Sequence, residues 1–142
     1  MEVKLLIDTW GWLTLRDRRE RWHAEVNAFF QDFRKQNGVI YTTDYILDET
    51  FTMLYRRLPL SSAKESIELI DKSISQGYVI PEWITPSRFE KAKQLRLRFH
   101  DKPMISFTDL TSMVVMRDLN INQILTEDKH FLQIGMGFSK VP

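Results

Sequence analysis

The sequence contains no cysteine. That excludes a disulfide framework and a thiolate zinc site, and it agrees with a reducing compartment. Glycine and proline are sparse, five of each in 142 residues, and they are scattered. No Pro/Gly-rich linker, repeat or low-complexity tract divides the chain, so residues 1–142 are expected to form one domain, long enough to bury a core without staples. Long apolar runs are missing too. The first, Val3 to Ile7, is interrupted by Lys4. A secretory leader needs a longer stretch and a membrane helix needs ~20 apolar residues. Neither is expected, and the protein is read as cytoplasmic. Nor is there a large charge of one sign. The net charge of +1 does not by itself point to a nucleic-acid partner.

What is present is the composition of an ordinary globular domain, 43% hydrophobic and 27% charged. Val3 to Ile7 reads as a buried parallel strand closed by Asp8-Thr9. Residues 19–36 read as an amphipathic helix carrying Trp22, Val26, Phe29, Phe30 and Phe33, stopped by Gly38. Val39 to Thr42 is a second strand. A helix over 44–57 follows, capped by Thr43 or Asp44 and ended by Leu58-Pro59. Ser61 or Ser62 opens another, which Gly77 stops. Tyr78 to Ile80 is a third strand, and Pro81 suits it to a sheet edge. Thr85-Pro86 starts a helix, and Ser106 to Asn120 forms the next. Ile121 to Leu125 is a fourth strand, Thr126 begins a short helical turn, and 137–141 is a last strand. This alternation predicts an α/β fold: three layers, α/β/α, around a mostly parallel sheet of four to five strands.

In such sheets ligands bind beyond the carboxyl ends of the strands, where the strand order reverses. Asp8 follows the first strand and Asp128 the fourth. If those strands are neighbours, the two carboxylates share a crevice. Each acid has a plain structural role available. Asp8 suits a helix N-cap. Glu49 suits a solvated helix face. Asp109 closes a Ser106-x-x-Asp capping box, and Asp128 complements the positive end of a helical turn. Together they suggest more. Four carboxylates in one crevice repel one another. They require a cation, and all-oxygen donors suit a hard one, Mg²⁺ or Mn²⁺.

Four segments, LLIDT (5–9), YILDETFTML (45–54), SFTDLTSMVVM (106–116) and ILTEDKHF (124–131), resemble those of the PIN-domain family, and within it the VapC-like toxins of toxin–antitoxin pairs. The resemblance implies a PIN fold and metal-dependent endoribonuclease activity. It assigns metal binding and catalysis to Asp8, Glu49, Asp109 and Asp128, with Thr126 beside them. It implies an RNA substrate, a structured tRNA or rRNA, together with an antitoxin that plugs the site and a homodimer. Trp10 is bulkier than the residue many relatives carry there, which reshapes the crevice mouth. Asp48 and Glu127 adjoin Glu49 and Asp128. Helical neighbours point about 100° apart, so one of each pair is expected to face the site. His130 offers itself as a general acid, but a histidine beside Phe131 is more often structural.

Two stretches carry excess positive charge. Six cations stand against two acids between Arg88 and Lys102, and four arginines against two acids between Arg16 and Arg21. Arg16, Arg18, Arg19, Arg96 and Arg98 are candidate phosphate contacts, or else parts of solvated helix faces. The aromatics from Trp10 to Trp22 serve partner contacts or complete the core, and the core is preferred. The competing functional reading is a catalytically silent PIN fold that binds RNA or protein.

Overall fold

The computed structural model describes residues 2–142. Five strands form one sheet, β1 (Lys4–Ile7), β2 (Val39–Thr43), β3 (Val79–Glu82), β4 (Gln123–Leu125) and β5 (Ser139–Val141), in the order β3-β2-β1-β4-β5. Every neighbouring pair is parallel. Strand β1 is central, and its Leu5, Leu6 and Ile7 are fully buried. Burial of each such side chain contributes about 1.5–3 kcal/mol. Pro81 lies in β3, which is an edge strand, where its missing N–H leaves no ladder bond unmade.

Seven helices connect the strands among the described residues: α1 (Thr9–Arg16), α2 (His23–Lys35), α3 (Asp44–Arg57), α4 (Leu60–Ser75), α5 (Pro86–Arg98), α6 (Phe107–Leu119) and α7 (His130–Gln133). The chain steps from β1 to β2 to β3 in one direction, then returns across β1 to β4 and β5. Right-handed crossovers put α1–α4 on one face and α5–α7 on the other, giving three layers. Packing of α1 against α2 and α3, and of α5 against α6, agrees with this. The strand order reverses between β1 and β4, so the crevice at their carboxyl ends is the switch point.

Helix α1 has no counterpart in the expectation from sequence. Thr9, Gly11, Trp12, Leu13, Thr14 and Leu15 are all buried, so it lacks the one-sided apolar stripe by which a helix is recognised. Helix α2 starts at His23, not at residue 19. Asp17 accepts bonds from the Arg19 backbone N–H at 3.0 Å and from its guanidinium at 3.0 and 3.1 Å, which holds 17–20 in a turn. The left-handed residue that ends α2 is Asn37 (φ 58°). Gly38 is needed for space, since a Cβ there would lie 2.1 Å from the Phe33 ring. Helix α4 begins at Leu60, directly after Pro59, and not at either serine. Strand β4 begins at Gln123 because Ile121 N–H bonds back to Met116 O (2.8 Å) to close α6. Strand β5 begins at Ser139 because Gly137 takes a positive φ of 84°.

Candidate metal centre

Asp8 is the first residue after β1. Its carboxylate caps α1, accepting from Gly11 N–H at 3.0 Å, and its other oxygen accepts from the Thr126 hydroxyl. Thr126 follows β4, is fully buried, and also accepts from Asp128 N–H at 3.0 Å. One hydroxyl thus orients two acidic residues from adjacent strand ends. Asp109 stands in the first turn of α6, with its N–H bonded to Ser106 Oγ at 3.0 Å. Helix α6 is buried from Leu110 through Met116, so the position of Asp109 is set by packing on all sides. Thr43 caps α3 through Ile46 N–H (3.0 Å), and α3 brings in Glu49.

These residues line one cleft of about 420 Å³. Asp8, Glu49, Asp109, Thr126 and Asp128 all border it, beside Trp10, Ser106 and Arg57. The structural and functional roles weighed for Asp8 and Asp109 therefore coexist: both are caps and both face the cleft. Asp48 does not line it and Glu49 does, as expected from helical spacing. Glu127 and Asp128 both line it, contrary to expectation. Residues 126–129 are not helical, so the 100° separation does not apply to them.

Burial pushes the Asp8 carboxyl up to about 7. Its bonds to Thr126 and Gly11 work against that rise, and the charges of Asp109 and Asp128 add to it. Burial and then the charge of Asp128 push Asp109 up to about 6. Arg57, on the rim, is the one cation bordering the cleft among the described residues. It is partly engaged, 3.4 Å from Glu20. Several carboxylates thus face one cleft bordered by a single cation among the described residues, and the donors are hard oxygens. That chemistry fits a divalent cation.

The tightest grouping of possible ligand atoms among the described residues is not the four acids. It consists of Asp109, Asp128 and His130, whose ligand atoms all lie within 4.8 Å of one another. Asp8 and Glu49 border the same cleft but stand outside that group.

No protein-family model matches the chain. A curated relative does: the 23S rRNA-specific endonuclease VapC20 of Mycobacterium tuberculosis is 27% identical over 131 residues, covering 92% of this chain and 94% of the relative. The crystal structure of that protein, described as a Sarcin-Ricin loop cleaving toxin, superposes with a TM-score of 0.77 over 96% of this chain and 98% of the other. The chain thus has a PIN-like fold and is similar, over nearly its whole length, to a VapC toxin. Two further structures share the fold at 11% identity. VapBC2 from Rickettsia felis, bound to a promoter DNA fragment, has a TM-score of 0.73 and covers 98% of both chains. FitAcB from Neisseria gonorrhoeae has a TM-score of 0.62, over 97% of this chain and 96% of that one.

The candidate phosphate contacts of this chain fall into two groups. Arg16 donates to Ser66 Oγ at 3.0 Å, Arg19 clamps Asp17 and donates to Arg57 O at 2.8 Å, and Arg96 donates to the carbonyls of Lys102 and Ile105. These three hold the fold together. Arg18 and Arg98 are exposed and form no ion pair among the described residues; Arg98 lies over the Phe99 ring. Arg57 was not among the candidates from sequence, because nothing in its local context, Tyr55-Arg56-Arg57-Leu58, separates it from its neighbour. Of the tryptophans, Trp12 completes the core and bonds Thr42 Oγ1 (3.1 Å), Trp10 borders the cleft, and Trp22 is 42% exposed. No helix of the described residues is long and apolar enough to cross a membrane.

Proposed function

We propose that this protein is a divalent-metal-dependent endoribonuclease and the toxin of a toxin–antitoxin pair. The observation that carries the reading is the convergence of Asp8, Glu49, Asp109 and Asp128 on one cleft at the sheet's switch point. The chain aligns almost end to end with an rRNA-specific endonuclease, which supports it. Asp109 and Asp128 would hold Mg²⁺ or Mn²⁺, with Asp8 and Glu49 completing the set directly or through water. A bound ion there would neutralise charge on a scissile phosphate and make water nucleophilic near neutral pH.

The remaining work falls to side chains of this chain. Thr126 keeps one Asp8 oxygen occupied, so the carboxylate has a fixed orientation. Through the Asp128 N–H it also fixes the backbone from which Asp128 projects. Arg57 offers a positive charge at the rim, on the scale of one phosphate contact. Burial of Asp8 and Asp109 at the cleft strengthens these interactions relative to open water.

The substrate class is structured RNA, with rRNA favoured by the relative's specificity. No compact RNA-reading motif is present, so recognition rests on shape and backbone contacts, with Arg18, Arg57 and Arg98 as the available cations. An antitoxin segment that fills the acidic cleft, and a homodimer, follow from the same kinship. The whole of 1–142 acts as one domain.

The test is cleavage of ribosomal and transfer RNA by purified protein with Mg²⁺, with Mn²⁺ and with EDTA, beside Asp8→Asn. Cleavage that needs both metal and Asp8 is expected. Metal binding without cleavage of any structured RNA would instead favour a silent binding module.

A further inference from the structure

His130 lies outside the four-acid set, and the mechanism above does not use it. It opens α7, two residues after Asp128. Its backbone N–H donates to Asp128 Oδ1 at 2.8 Å, and its ring Nδ1 lies 2.9 Å from the same oxygen. That ring nitrogen is buried, and the contact is not aligned as a hydrogen bond, so the atom has no hydrogen-bond partner among the described residues. A buried imidazole nitrogen beside a carboxylate and unused by any donor is costly unless something binds it. The ring as a whole is 29% exposed, beside Asp128 rather than in the wall of the main cleft.

The spacing of these atoms suits a shared ion. A His130 nitrogen and the carboxylate oxygens of Asp109 and Asp128 lie within 4.8 Å of one another. Two donors about 2.1 Å from one ion and at right angles to each other stand about 3 Å apart. The 2.9 Å separation of Nδ1 and Asp128 Oδ1 matches that spacing. We propose that His130 is a direct metal ligand, and that this nitrogen biases the site toward a first-row transition ion such as Mn²⁺ over Mg²⁺. The inference rests on the metal-dependent reading and refines it. Mg²⁺ takes oxygen donors and parts reluctantly with water, whereas transition ions accept imidazole readily. A site of carboxylates alone has no comparable means of separating the two ions.

The substitution His130→Ala removes the ring but keeps the backbone bond to Asp128, so the acid stays in place. His130→Gln keeps bulk without an imidazole. Both, with wild type and Asp109→Asn, are prepared metal-free, checked for unchanged circular dichroism, and titrated with Mn²⁺ by electron paramagnetic resonance. Mg²⁺ is added as competitor. Loss of His130 is expected to weaken Mn²⁺ binding by at least about tenfold, the scale already seen for groups one step further from a metal. Mg²⁺ affinity should change by less than about twofold, which collapses the preference. Nitrogen modulation on the bound Mn²⁺ signal should be present in wild type and absent from both His130 variants. Equal losses for the two ions, or an unchanged nitrogen signal, overturn the ligand role and leave the acid site standing. If Mn²⁺ fails to bind wild type, or binds Asp109→Asn equally well, the metal-dependent reading fails as well.

Discussion

The Thr126 hydroxyl donates to the carboxylate of Asp8, joining the end of β4 to the end of β1 across 118 positions of sequence. It is the sole side-chain donor to Asp8 among the described residues; the other bond comes from the Gly11 backbone. The same oxygen receives the Asp128 N–H. Replacing Thr126 by Val keeps the shape and removes both functions. An unsatisfied buried N–H alone costs about 1–3 kcal/mol. Thr126→Val is therefore expected to lower stability by that amount and to weaken metal affinity about 10–100-fold, while Thr126→Ser retains most of both. Calorimetric titration of the three proteins checks the order. A fully active, tightly binding Val variant would remove Thr126 from the site.

Asp8 and Asp109 bind protons more tightly in the folded chain than the ordinary 3.8, up to about 7 and about 6. Between 3.8 and those values the folded state holds more protons than the unfolded one. Stability of the metal-free protein therefore falls as pH rises through that window, and it is lowest above it. Melting in EDTA should give a higher midpoint at pH 5 than at pH 8. Asp8→Asn should flatten the slope and exceed wild type at pH 8 by on the order of 1–3 kcal/mol, after allowance for solvent at the cleft. An acid limb of stability that rises toward pH 8 in EDTA would contradict the burial of these groups.

Metal reverses that order. An ion that binds only the folded chain adds about 2.7 kcal/mol at one hundred times its dissociation constant. At pH 8 the wild-type midpoint should climb with Mn²⁺, and that of Asp109→Asn should not. The gain should shrink at pH 5, where the carboxyls are protonated and must lose protons to bind.

Gly11 lies in α1 against the sheet. A Cβ there would fall 2.8 Å from both Ile7 Cγ2 and Leu125 O. The first can yield slightly; the second is backbone that also receives Asp8 N–H at 3.3 Å. Alanine gains about 0.5–1 kcal/mol of helix propensity over glycine, but overpacking costs about 1–3 kcal/mol. The clash should win. Gly11→Ala is expected to lower the urea midpoint and, by shifting α1 off β1, to reduce cleavage more than its stability loss explains.

Arg57 and Arg96 provide a contrast between a candidate contact and a structural cation. Arg57→Ala should weaken RNA binding and reduce the salt slope by ~0.7, the value of one phosphate on a single strand, with little loss of stability. Arg96→Ala frees the carbonyls of Lys102 and Ile105 and should cost stability while leaving the salt slope unchanged. Binding isotherms at three salt concentrations separate the two.

Much of this architecture follows from local sequence alone. Alternation of short apolar strands with capped helices determined an α/β sheet. Asp8 was identifiable because it directly follows a strand, Asp128 because it stands three residues past one, and Glu49 and Asp109 because their segments resemble those of the PIN-domain family. Strand ends and caps are local features, legible without knowing what lies opposite. Other features were decided only in three dimensions. Six of the eight residues of helix α1 are buried, so no one-sided periodicity marks it. The arginines look alike in sequence, and only packing assigns Arg96 to a pair of carbonyls and Arg57 to the cleft. His130 looks like a structural histidine beside Phe131 until β4 and α6 bring its ring nitrogen near Asp109, twenty-one positions earlier. Residue type is written locally, whereas a ligand sphere is a set of distances between segments, and those exist only once the sheet has closed on its helices.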